Sequence, residues 1–279
     1  MKEESWRKRM KTYKIGEIAK MLGISSETIR NYEKKGLIKP YKEEESRYRF
    51  YDIIQINYLM SLQRLQKFGY TLHEIGDIMK TESIPEMEES LREKEKRILR
   101  EAFYTQLKLD SIHANLSCMR QAQNAKSGCF LGYRPALYRM NYQKNHELIQ
   151  KEEVQNELMK WLKYSDLTFM SGSVSLEHLI HGESEFDFGF CIDKKTAEFL
   201  EIKESEVVKF YKSCPAIIFY YEAKANVDFQ ETVKMLLDFA KENHLVIDGE
   251  SVSRVLLARW EDEESYFISH LVWVPYKKI

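Results

Sequence analysis

Arg47, Tyr48, Arg49, Phe50 and Tyr51 alternate cation and ring over five consecutive positions. On an extended strand successive side chains point to opposite faces, so one face of this run presents charge while the other packs inward. A hairpin that grips phosphates needs that alternation. Upstream, Ser25 or Ser26 is placed to cap a helix carrying Thr28, Arg30 and Asn31 on or near its first turns. In a helix-turn-helix those turns enter the major groove and reach base edges. Lys67 adds a further cation. The chemistry on offer is contact with double-stranded DNA through Thr28, Arg30, Tyr32, Arg47, Tyr48, Arg49 and Lys67. Of these, Tyr32 and Tyr48 also share with Leu37 the spacing of core or half-core positions in a small domain.

Positioning these groups requires two short helices and a hairpin. Ile15, Ile18, Ala19 and Leu22 recur at helical spacing, Gly23 closes that helix, and Gly36 and Pro40 stop the next one. The motifs IGEIAK, TIRNYEKKGLI, RYRFY and FGYTLHEIGDIM (Phe68 to Met79) follow in order within the first eighty residues. In that order and spacing the segment resembles the winged helix-turn-helix of the MerR family of transcription regulators. Two positions depart from the family pattern. Asn31 stands where an aromatic is usual before Tyr32, and Ser46-Arg47 replaces the commoner glycine at the wing tip.

The net charge of −1 over 279 residues hides an asymmetry. Residues 1 to 80 hold 17 Lys plus Arg against 11 Asp plus Glu, a balance of +6, which leaves −7 for the rest. Only the first part suits a polyanion. There is no run of about eighteen apolar residues and no apolar block after the charged N-terminus, so no membrane partner and a cytoplasmic location are expected. Cys118, Cys129, Cys191 and Cys214 are scattered without CxxC spacing, which predicts reduced, mostly buried thiols.

From Glu86 to Gln123 there is neither Gly nor Pro, and the segment predicts one long helix. Glu95, Ala102, Leu109 and Leu116 share one heptad position, with Ile98, Thr105, Ile112 and Met119 three residues on. So narrow a seam wants another helix, and the resemblance implies an antiparallel coiled coil in a homodimer, whose two heads would read a palindrome. Beyond Ala125 strands alternate with helices. Cys129 to Tyr138 reads as a strand, Glu153 to Tyr164 as a helix, and Ser173 to Ile180 and Asp187 to Ile192 as strands. The order then recurs as Ala216 to Tyr221, Phe229 to Asn243, Glu250 to Trp260 and Tyr266 to Val274. The expected fold is multidomain, α and α+β: a winged helix-turn-helix over 1–82, a coiled-coil helix over 83–124, and a duplicated βαββ domain over 125–279 that closes one sheet around a shared cleft.

PAIIFYYEA, from Pro215 to Ala223, and the strands after it resemble the GyrI-like effector-binding domain of multidrug-responsive MerR regulators. The half is rich in rings that could stack on a flat amphipathic effector. The candidate ligand contacts are Tyr133, Trp161, Glu177, Tyr220, Glu222, Arg254, Glu264, Tyr266 and Trp273. In the relatives a buried glutamate faces a cationic drug, and alignment puts Arg254 at that place, which leaves the charge preference open.

The combined reading is a ligand-responsive activator that distorts promoter DNA for RNA polymerase and needs no cofactor. The alternative is a metal- or redox-sensing regulator of the same family using Cys118 and Cys129. An enzyme is not expected. There is no nucleophile elbow, His-Glu-x-x-His or phosphate loop, and His178, His181, His244 and His270 are dispersed.

Overall fold

A computed structural model describes residues 10–42, 48–80, 83–125, 128–182, 185–224, 229–260 and 266–278. Arg47 and Glu264 lie outside the described residues. The chain divides into two compact units, Met1–Glu101 and Ala102–Ile279.

In the first unit, β1 (Tyr13–Lys14) leads into α1 (Ile15–Leu22) and α2 (Ser26–Lys34). Gly23 closes α1 at φ 65°, in the left-handed region a side chain would disfavour. Ser25 caps α2, its hydroxyl accepting the Thr28 N–H at 3.0 Å. Strands β2 (Tyr41–Lys42) and β3 (Arg49–Tyr51) form the wing hairpin, and β1 completes a three-stranded sheet in the order β1-β3-β2. Helices α3 (Ile53–Lys67) and α4 (Leu72–Ile78) each open on a capping box, Asp52 with Gln55 and Thr71 with Glu74. The helices bury one shared core of Ile18, Ile29, Tyr32, Tyr51, Leu59, Leu62 and Ile75.

Helix α5 (Ile84–Asn124) is continuous over 41 residues. Along it Ile98, Leu109, Ile112, Leu116 and Met119 stay exposed although apolar, Ile112 at 55 %.

The second unit holds β4 (Phe130–Arg134), β5 (Leu137–Lys144), β6 (Glu147–Leu148), α6 (Glu152–Leu162), β7 (Phe169–Val174), α7 (Leu176–His181), β8 (Asp187–Asp193) and α8 (Lys194–Phe199). It continues through β9 (Val208–Tyr211), β10 (Cys214–Lys224), α9 (Phe229–Glu242), β11 (Leu245–Ile247), β12 (Ser251–Trp260) and β13 (Tyr266–Lys278). One antiparallel sheet runs β4-β10-β13-β12-β7-β8-β5-β6, with β9 on β5 and β11 on β13. Its centre reads β10-β13-β12 against β7-β8-β5. Each half is a βαββ unit, and the second mirrors the first across the β12–β7 seam, where Val252 pairs with Ser173.

Two expected strands differ from the fold. The run Cys129 to Tyr138 is split at Pro135, which has no N–H for a ladder; β4 joins β10 while β5 joins β8 near the other end of the sheet. In Ser173 to Ile180, β7 stops at Val174 and the rest is helix. Ser175 caps that helix by accepting the His178 N–H at 3.2 Å, and Gly182 ends it at φ 71°.

The two faces of the sheet are covered by different helices. On β10, Ile217 and Phe219 pack with Leu236 and Ala240 of α9, whereas Ala216 and Ile218 pack with Cys118 and Ala122 of α5. Helix α6 shares the α9 face, burying Val154 and Trp161 against Met140 and Ile192. A β-bulge in β5, between Asn141 and Gln143, lies opposite Gly189. A Cβ there would stand 1.9 Å from the Met140 carbonyl oxygen, so only glycine lets β5 and β8 meet.

Candidate functional site

In the first unit the caps leave Arg30 and Asn31 of α2 in solvent, with Thr28 half-buried beside them. Among the described residues Arg30 pairs with its neighbour Glu27, at 3.2 Å, and both side chains are largely exposed. Glu33, one turn further along α2, has a different task. One carboxylate oxygen accepts the Arg49 Nε–H at 2.8 Å and the other accepts the Tyr51 hydroxyl. Its hydrogen bond and charge raise the Arg49 pKa, and burial followed by Glu33 pushes the Tyr51 phenol up. Strand β3 of the wing is thereby held on the helix that carries Thr28 and Arg30. Because Glu33 engages Arg49 through Nε, the terminal nitrogens of the fork keep donors for another acceptor.

Tyr48 is 60 % exposed, with Lys14 Nζ 5.5 Å from its ring centre. Tyr32 is core, its hydroxyl donating to Gln66. Lys67 is exposed in the last turn of α3. Nothing in the sequence marks the Glu33 clamp, since its partners lie 16 and 18 positions away.

In the second unit the sheet face shared by α6 and α9 carries a row of rings. Tyr142 stands edge-on to Phe188 at 6.3 Å, Phe188 edge-on to His270 at 6.3 Å, and His270 lies 6.1 Å from Tyr221. Gly172 sits beneath the centre, where an added Cβ would meet Phe188 and His270 at 3.7 and 3.8 Å. Ser253 Oγ accepts the Gly172 N–H at 3.0 Å and lies 3.0 Å from His270 Nδ1. Burial lowers the His270 pKa to about 4, so the imidazole is neutral at pH 7. None of these six residues is a carboxylate, and they come from both βαββ halves.

The sequence-selected ligand residues are spread over several places. Arg254 and Trp273 lie on the α5 face, where Arg254 Nε donates to Asn115 Oδ1 at 2.9 Å and its guanidinium covers the Phe169 ring at 4.1 Å. Its neighbour Ser253 is the residue that faces the ring row. Tyr220 packs toward α5, and its hydroxyl donates to exposed Glu222 at 2.5 Å. Trp161, on α6, is fully buried, its indole N–H donating to Glu157 at 2.8 Å. Glu177 is exposed on α7, Tyr266 lies 4.9 Å from Trp260, and Tyr133 is exposed on β4. Sequence reasoning passed over Tyr142, Gly172 and Ser253; the alternation along β7 and β12 was the available signal, once their register was known.

Among the described residues no group of three or more His, Cys, Asp or Glu is placed to hold a metal ion, and no helix is long and apolar enough to cross a membrane. Cys118 packs on the α5 face and Cys129 on the α9 face. Burial raises both thiols, Cys129 to about 11.

Residues 13–82 match the model of the MerR HTH family of regulatory proteins. A mercuric resistance operon regulatory protein of Shigella flexneri is 31% identical over 121 residues, 41% of this chain and 81% of its own length. The corresponding regulator of Bacillus cereus is 39% identical over 67 residues, 24% of this chain, which spans about half (51%) of that relative. A solved structure of EcmrR in complex with DNA is 14% identical, aligned over 96% of this chain and all of that one (100%), with a TM-score of 0.34. The chain belongs to the MerR family of helix-turn-helix regulatory proteins.

Proposed function

We propose that this MerR-family regulator binds promoter DNA as a homodimer through residues 1–82 and senses an amphipathic or aromatic small molecule through a GyrI-like domain over 125–279. Helix residues 83–124 join subunits in a coiled coil, a role supported by the exposed apolar seam from Ile98 to Met119. Thr28 and Arg30 contact bases or adjacent phosphates, and Arg47, Tyr48, Arg49 and Lys67 contact phosphates, with Tyr32 supporting α2 from the core. Ligand binding biases how far the dimer bends and untwists the promoter, and so how RNA polymerase engages it. Deforming DNA costs on the order of several kcal/mol, comparable to what differential ligand affinity between two states supplies.

The observation that carries this reading is the division of chemistry within one chain. Within the basic first eighty residues a capped helix has its wing tied to it by Glu33, and a separate mirrored sheet carries a row of rings where its halves meet. The row favours a flat effector of neutral or weakly polar character, because His270 is uncharged and none of the row's six described residues is a carboxylate. Footprinting should reveal a protected inverted repeat. Fluorescence titration with aromatic cations, anions and neutral compounds should show saturable binding, strongest for the neutral class. No binding by any class removes the sensor role.

The relatives concerned with mercuric resistance favour a second reading, metal or redox sensing through Cys118 and Cys129. Against it stand two facts: the thiols lie on opposite faces of the sheet, and burial holds them protonated where ligation needs thiolates. Replacing both by serine leaves effector response intact under the first reading and abolishes it under the second.

A further inference from the structure

In the second unit, and sharing no residue with the ring row, β4, the end of β9, the start of β10, the turn at Asp248–Glu250 and the end of β13 line an open cleft of about 910 Å³. Its floor includes Arg134, 7 % exposed, whose Nη2 donates to the Lys212 carbonyl at 3.1 Å and whose guanidinium lies 5.0 Å over the Tyr211 ring. Its Nε is buried and has no hydrogen-bond acceptor among the described residues. The other charges divide cleanly. Lys209 is paired with Glu250, and Lys277 with Asp248 at 2.7 Å. Among the described residues Arg134, Lys212 and Lys278 have no carboxylate partner, so the walls carry three uncompensated cations. Tyr133 and Tyr276 add ring surface to the same walls.

A guanidinium buried without a countercharge is unfavourable, and an anion beside it supplies what the fold omits. We propose that this cleft is a second small-molecule site, which takes an aromatic carboxylate with its head toward Arg134 and Lys212 and its flat body along Tyr133 and Tyr276. Cationic compounds are excluded by the same field. The site does not depend on the ring row being an effector pocket, since the two share no residue.

Calorimetric titration of the full chain with 2-naphthoate and with its uncharged isostere 2-naphthamide tests it. Naphthoate should bind saturably and at least tenfold more tightly than the amide. Arg134→Gln should abolish naphthoate binding. Because Arg134 is buried and that variant could misfold, the surface change Lys212→Glu is the guard, and it should weaken naphthoate about tenfold while leaving the amide unchanged. Ser253→Phe, which obstructs the ring row, should leave naphthoate affinity as it was. Equal affinity for the two compounds, no saturation at millimolar naphthoate, or loss of binding in Ser253→Phe but not in Lys212→Glu would overturn the assignment.

Discussion

The first unit keeps the cations of α2, α3 and its wing open to water, burying only the capping Asp52 and Lys94 among its described charges, whereas the second hides several arginines. Arg30 and Lys67 stand exposed on helices, and Arg49 is half-exposed against Glu33. In the second unit Arg139 is 2 % exposed and donates to Ser171 and the Asp187 carbonyl, while Arg254 is held under α5 by Asn115. Exposed pairs contribute about 0–1 kcal/mol each. Breaking a buried polar contact by removing one partner costs about 1–3 kcal/mol, because the survivor has already lost its water. Charge on α2, α3 and the wing is thus available to a partner and sensitive to salt. In the second unit it fixes which strand lies where.

The sharpest way to break this contrast is Gly189→Ala. With the new methyl overlapping the Met140 carbonyl, β5 and β8 must part, and a loss at the upper end of the usual overpacking range, about 3 kcal/mol, is expected. Urea unfolding followed through the buried Trp161 and Trp273 reads that loss, while the first unit's transition should hold its midpoint.

Next in size is acid sensitivity. His270 in the folded chain titrates at about 4, below the ordinary value of roughly 6.5. Between those values the unfolded chain takes up a proton that the folded one refuses. Stability of the second unit is therefore full above about pH 6.5 and falls as the pH drops toward 4, by up to about 1.4 kcal/mol per pH unit. His270→Gln should flatten that slope in melts between pH 7 and 5, and an unchanged slope would place the sensitivity elsewhere.

Asn115→Ala, which strands the Arg254 Nε–H, should cost about 1–3 kcal/mol. Arg254→Met, which removes the charge as well, should cost less. The reverse order would mean that the cation itself stabilises the α5 face.

Smallest in stability, and confined to the first unit, is Lys67→Ala. Melting should shift by less than about 0.5 kcal/mol, while the slope of log affinity for operator DNA against log salt drops by about 0.9. Arg49→Ala should lower the slope similarly but also loosen the wing, since Glu33 keeps only Tyr51. An unaltered slope in both variants would take these cations off the DNA.

The first unit was legible because its signals are local. Ser25 opens the turn that follows it, Gly23 closes the one before it, and IGEIAK through GDIM carries such signals in sequence. The mirrored order of the second unit could also be read, as alternating strands and helices. Its chemistry could not, because on a sheet a displacement of one residue exchanges the faces. Arg254 and Ser253 are adjacent, yet one meets Asn115 and the other His270. Bulges near Asn141 and between Val255 and Leu257 shift the alternation further, and no local residue announces them. The short helix after Val174 was hidden differently: six residues with Leu176 and Leu179 at its start are too few to separate one periodicity from the other.

Gly172 bears on how this chain could be re-engineered. A single hydrogen occupies the spot where the two halves' rings converge, and a methyl would touch both rings at ordinary distance with only the Ser253 hydroxyl, at 3.2 Å, asked to shift. The position is a dial: alanine, then serine, then valine would raise the floor stepwise, while strand pairing on either side stays as it is. With the ring row as the proposed effector site, a series of progressively slimmer compounds matched to those variants would let responsiveness be retuned through shape, with the first unit left untouched.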